Sequence, residues 1–527
     1  MKPTRLSPTA RVAAAYRTIA EADRPEVWIT LRDQADVHND AVAVEHRLAA
    51  GEPLPLAGLM VAVKDNIDVA GLPTTAGCRE FSYLPATTAV AIERLHEAGA
   101  VVLGKTNLDQ FGCGLAGTRS PYGAVRNSGH PDLVSGGSSS GSAVAVALGI
   151  ADIGIGTDTA GSVRVPAALN GLVGIKPTLG IIPTLGIIPT HGVVPACVSY
   201  DAVCVLAADL ALAGTAVAVM AGPDPRDPRS RPWPADVRLG APDAPRLAIP
   251  EAANLTALRP GYREAFAQSV RRAIDAGCSV APVDISLLLD AALLLYDGAI
   301  VAERYAAVGE FLDTAPASAD PVVVSIITSA REVTGPAFAA DLDALVRARA
   351  DAACLLDGFD ALLLPTTTEH PTLIEVSADP VGISRRMGTY TNFCNLLDMA
   401  AVTVPVAPTP AGTPFGVTIV VPSFNDQIAA DIGARLTGTL SELLVRSGVE
   451  LAVFGAPLYR RLRRLGARFV EHLRTPEGRT GELFRISEAG LGSLAAALPA
   501  SMALTNLELE DGRTVTGVTA EAGERRW

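Results

Sequence analysis

The sequence predicts an α/β fold with both faces of its sheet covered by helices, followed by a small α+β unit. Three observations carry this. Short apolar runs of strand length alternate with helical stretches through the first 430 or so residues. The strand-like runs are continuously apolar, as in Leu59–Val63 (LMVAV), which marks strands buried on both sides. After residues 446–449 (RSGV) the composition shifts and a new strand-like run starts at Leu451–Phe454. The expected division is 1–445 and 450–527.

Taken in order, residues 12–22 have helical spacing and Val27–Leu31 (VWITL) is extended. Leu59–Val63 ends at Lys64, so a buried strand delivers a lysine at its tip. Val90–Ala98 predicts a helix, Val101–Leu103 a strand, and Leu108–Gly117 a helix followed by a turn. Ser142–Gly149 (SAVAVALG) suits a helix beginning just after a serine-rich run; Ile153–Ile155 is a short strand, and Val163–Ala168 opens the next element. Ala202–Gly222 is the most apolar long stretch, but Asp209 and Gly214 interrupt it, so it is expected as a buried helix and not a membrane span. One hexapeptide, LGIIPT, occurs twice in succession at 179–184 and 185–190. Two copies are too few for a solenoid, and the second reads as an insertion.

The bulk composition excludes several classes. With 43 basic against 56 acidic residues the net charge is −13 and no basic stripe compensates, which argues against a nucleic-acid partner. Seven cysteines are scattered and never spaced as CxxC, so neither a disulfide framework nor a zinc site is expected, and a cytoplasmic location fits. The first 27 residues lack an uninterrupted apolar core of signal-peptide type. No cofactor or metal is expected.

The chemistry sits in three segments: Val61–Asp68 (VAVKDNID), Ser135–Ser142 (SGGSSSGS) and Gly156–Ser162 (GTDTAGS). Taken singly, each has an ordinary reading: a lysine reaching to water, a flexible linker, a turn. Together they offer two serines and a lysine, with no histidine in any of the three. A serine hydroxyl needs a base, and a lysine buried behind apolar residues loses its proton more readily. Small Ala160 and Gly161 let successive backbone N–H groups converge before Ser162, as an oxyanion requires.

These motifs, in this order, resemble the amidase signature family of Ser-cisSer-Lys hydrolases over roughly residues 10–440. The resemblance implies a mixed sheet between helices and assigns Ser162 as nucleophile, Ser138 as bridging serine after a cis or strained Gly137 peptide, and Lys64 as base. The backbone N–H groups of Thr159, Ala160, Gly161 and Ser162 are the implied oxyanion hole. Ala160 and Ser140 stand where the family commonly has glycine.

Within the family, Tyr296–Tyr305 (YDGAIVAERY) resembles the segment by which allophanate hydrolases hold the substrate carboxylate, with Tyr296 and Arg304 as contacts. Read alone, 301–312 is an amphipathic helix whose arginine could pair with a surface acid. Lys64–Thr75, Lys105–Gly123 and Gly192–Cys197 carry the same likeness, and in it Gly114 lines the pocket. Asp158 and Arg164 are expected to support the loop, and Asn392, Asn395 and Asp398 to serve as loop and cap groups. The C-terminal piece resembles the small domain attached to many allophanate hydrolases, shortened here.

The resemblance implies hydrolysis of allophanate, a small anionic amide, to ammonia and N-carboxycarbamate. Alternatives are another small amide, a glutamine-hydrolysing amidotransferase component, or an inactive homologue. A homodimer is expected, and any urea carboxylase that feeds the reaction would be a separate protein; urea, biuret and triazine breakdown stay open as the source of substrate.

Overall fold

The computed structural model describes residues 6–182, 192–445, 448–454, 456–476, 478–499 and 502–520. Among them, eleven strands form one mixed sheet: β1 (Trp28–Leu31), β2 (Met60–Lys64), β3 (Val101–Thr106), β4 (Ile153–Asp158), β5 (Val173–Lys176), β6 (Ala202–Ala207), β7 (Arg246–Pro250), β8 (Ser279–Val283), β9 (Ala361–Pro365), β10 (Met399–Pro405) and β11 (Gly416–Pro422). Their order is β1-β3-β2-β4-β6-β5-β10-β11-β9-β7-β8. β2 runs parallel to both β3 and β4, so the carboxyl ends of these three strands share one edge.

The two-sided burial read from LMVAV is present. Val61 and Val63 enter one apolar cluster and Met60 and Ala62 another on the opposite face, with all of β2 buried. Helices Val90–Glu97 and Leu210–Met220 contribute to the first cluster and helix Ser140–Ala147 to the second. A five-stranded sheet follows at the C-terminus: β12 (Val449–Val453), β13 (Arg468–Arg474), β14 (Thr480–Ile486), β15 (Met502–Glu508) and β16 (Thr514–Ala520), ordered β13-β14-β12-β16-β15.

Two expectations are corrected. Ala202–Gly222 is not one helix but strand β6 followed by helix Leu210–Met220, because Asp209 caps the helix by accepting from Leu212 N at 2.8 Å. Leu108–Gly117 is not a helix: only a single turn, Gln110–Gly112, forms. The Asp109 carboxylate accepts from the backbone N–H groups of Gly117, Thr118 and Arg119 at 2.8–2.9 Å, gathering the chain into a compact loop. In the duplicated hexapeptide, Ile181 and Ile182 are buried, while 183–190 lie outside the described residues.

Candidate active site

Lys64 ends β2 and Thr157 lies at the end of the parallel neighbour β4, so the sheet itself puts them side by side. The Lys64 Nζ is 2.7 Å from Ser138 Oγ, 2.8 Å from Thr157 Oγ1 and 3.2 Å from the Thr157 carbonyl. That carbonyl can only accept, and Thr157 Oγ1 also accepts from Asn66 Nδ2 at 3.1 Å. A neutral amine has two N–H groups and one lone pair. With both N–H groups drawn to Thr157, the lone pair faces Ser138, the orientation a base needs.

Lys64 and Ser138 are both fully buried. Burial pulls the Lys64 ammonium down to about 8, although Asp109, Asp158 and Asp201 act to raise it. The amine is therefore neutral in a useful fraction of molecules near neutral pH.

The Gly137–Ser138 peptide bond is cis. A Cβ on Gly137 would lie 2.1 Å from Asp109 Oδ2, so glycine alone fits there. Asp109 N donates to the Ser138 carbonyl at 3.2 Å, which ties Ser138 to the Asp109 loop.

Ser162 lies in the connection between β4 and helix Arg164–Leu169 and is 2% exposed. It is joined to the serine-rich segment through Ser139 N, which donates to the Ser162 carbonyl at 3.0 Å. Among the described residues its hydroxyl has no hydrogen-bond partner, so the Ser162–Ser138 link is not closed here. Catalytic hydrogen bonds commonly tighten only around substrate.

Of the four expected oxyanion donors, Gly161 is corrected: its N–H donates to Asp158 Oδ1 at 2.8 Å and is used within the loop. The N–H groups of Thr159, Ala160 and Ser162 carry no such bond among the described residues. Gly161 itself sits at φ +116°, and a Cβ there would lie 2.4 Å from Thr391 Oγ1.

The loop is held by a buried brace. Asp158 pairs with Arg164 through two contacts, at 2.8 and 3.1 Å, and also accepts from Val163 N. Burial would raise its carboxyl, but Arg164 overrides this and holds it near 2. Asn395 donates to the Asp158 carbonyl at 2.7 Å and accepts from Arg164 at 3.0 Å. Asp158→Asn would leave Arg164 charged and uncompensated. We expect a loss of about 3–5 kcal/mol in a denaturant titration; a loss below about 1 kcal/mol would contradict the brace.

Arg304 is 1% exposed on helix Ala302–Leu312, so it is no surface partner for an acid. Its Nη2 donates to Tyr296 OH at 3.0 Å, while Nε and Nη1 are buried without a partner. Tyr296 and Gly114 line one cavity of about 120 Å³. A Cβ on Gly114 would come within 2.6 Å of Asp109 Cγ, and one on Gly112 would lie 3.8 Å from Ser138 Oγ. The strip 112–114 thus runs from Ser138 to the cavity. On the other side, Asp201 accepts from Thr159 Oγ1 at 2.5 Å, and the Arg304 charge acts to lower its carboxyl.

Thr157 and Asp109 are functional neighbours that the sequence does not single out, although both lie inside motifs that it does. Among the described residues, no group of three or more metal-ligating side chains is present, and no helix is long and apolar enough to cross a membrane.

A profile of the Amidase family matches residues 11–428. The chain belongs to the amidase family. The urea amidolyase of Lachancea kluyveri is 36% identical over 95% of this chain, which spans only 30% of that protein's length. An allophanate hydrolase of Kluyveromyces lactis superposes with a TM-score of 0.86 at 34% identity, covering 98% of this chain and 94% of that one. A glutamyl-tRNA(Gln) amidotransferase component of Acidothermus cellulolyticus is 32% identical over 83% of this chain and 94% of its own length. The mixed sheet, the covering helices and the second small sheet are those of a family member.

Proposed function

We propose that this amidase-family chain hydrolyses allophanate. Ser162 Oγ attacks the ureido carbonyl as its proton passes through Ser138 to Lys64. The oxyanion is held by the N–H groups of Thr159, Ala160 and Ser162. The relay returns the proton to the nitrogen, the C–N bond breaks and ammonia leaves. Water, activated by the same relay, then cleaves the acyl-enzyme to N-carboxycarbamate, which decays to carbon dioxide and ammonia. A urea carboxylase would supply the substrate.

One observation carries the substrate assignment: the buried Arg304 guanidinium has two nitrogens without partners and, among the described residues, forms no ion pair with a carboxylate. Arginine cannot shed its charge, and an unpaired buried charge is costly. A substrate carboxylate, received by the guanidinium with the Tyr296 hydroxyl beside it, resolves that cost. The Kluyveromyces lactis likeness supports the same reading.

Arg304→Gln tests it. The KM for allophanate or malonamate should rise by about 2–4 kcal/mol, roughly 30- to 1,000-fold. Malonamide, the neutral isostere of malonamate, should be little affected. Equal losses for both substrates would overturn the carboxylate role.

A further inference from the structure

The cavity that Gly114 and Tyr296 line has two arginines in its wall, Arg119 and Arg385, and Arg385 is paired with Asp297. Arg119 is 5% exposed, and its guanidinium is fixed by neutral acceptors alone: Nη1 donates to the Cys113 carbonyl at 2.8 Å, and Nη2 to the Pro380 carbonyl at 2.6 Å and to Ser384 Oγ at 3.3 Å. Among the described residues it forms no ion pair. Two carboxylates of the adjoining segments are engaged elsewhere. Asp109 is engaged by three backbone N–H groups, and Asp297 pairs with Arg385 at 2.5 Å.

We propose that Arg119 is a specificity-determining residue: a fixed, uncompensated charge in the cavity wall that selects anionic over neutral amides without itself having to bind the carboxylate. This rests on the reading of the site as one for a carboxylate-bearing amide. The two arginines would act differently. Arg304 has nitrogens without partners and can bond the substrate directly. Three of the five Arg119 N–H groups are committed to protein acceptors, so its part is the field it sets across the cavity, where a charge acts over several ångströms. Its carbonyl bonds also tie the loop after Asp109 to helix Pro380–Met387, which keeps the charge at one place in the wall.

The measurement is the ratio of kcat/KM for malonamate to that for malonamide. In Arg119→Gln this preference should fall about tenfold, through KM for the anion and not kcat, and Arg119→Lys should restore most of it. Since Arg119→Gln also loses the carbonyl bonds, Ser384→Asp gives an independent arm: it leaves those bonds in place but sets a carboxylate against Nη2, and should lower the preference similarly. If the preference is unchanged in both Arg119→Gln and Ser384→Asp, with the two substrates falling in parallel or not at all, the proposal is overturned. A wild-type protein with no preference for malonamate would instead defeat the underlying carboxylate reading. Loss of preference in Arg304→Gln alone would leave that reading standing and remove Arg119 from it.

Discussion

Ser162→Ala should abolish turnover, lowering kcat by about 10⁴-fold or more, while leaving the unfolding midpoint unchanged. Both halves follow from the same observation. The Ser162 hydroxyl has no hydrogen-bond partner among the described residues, so deleting it breaks nothing in the fold. The loop is held instead by Asp158, Arg164 and Asn395, none of which touches that oxygen. A structural serine would behave in the opposite way, losing stability through an orphaned partner. The check is an ammonia-release assay beside a thermal melt, and residual activity above about 1% of wild type would move the nucleophile elsewhere.

Lys64→Met should have a comparable effect on rate and a distinctive signature in pH. Wild-type kcat/KM should fall about tenfold per pH unit below an apparent pKa near 8, because the base works only when neutral. The sign follows from burial, which disfavours the charged amine and brings its pKa down into the working range. In Lys64→Met that acid limb should vanish with the activity. The fold should be retained, since methionine is unbranched and of similar length, and no longer asks the core to hold an ammonium. A wild-type profile flat from pH 8.5 to 6 would exclude a lysine base.

What could be read from sequence divides along physical lines. Lys64, Ser138 and Ser162 each stand in a short segment of distinctive local composition, which is what drew them out: an apolar strand ending in lysine, glycines around a serine, small residues before a serine. Strand β2 was legible because a continuous apolar run admits little else between two covered faces. The partners were not legible, because contact across 93 residues, as between Lys64 and Thr157, leaves no local trace. Asp109 was hidden in a stretch whose spacing suggested a helix, and its side chain is the reason no helix forms. The oxyanion assignment at Gly161 failed for a related reason. Small residues allow N–H groups to converge, but whether one is already taken depends on a side chain, here Asp158. For Arg304, helical spacing permitted a surface ion pair; only the packing shows that the guanidinium is enclosed and incompletely partnered.

The most direct test is ammonia release from allophanate by the unmodified protein, beside malonamate, biuret, glutamine and malonamide. A carboxylate-anchoring site requires a kcat/KM for allophanate at least about 100-fold above that for malonamide, with malonamate between them. Turnover of malonamide or biuret equal to or faster than that of allophanate would contradict it, leaving an amidase whose buried arginine serves some other purpose.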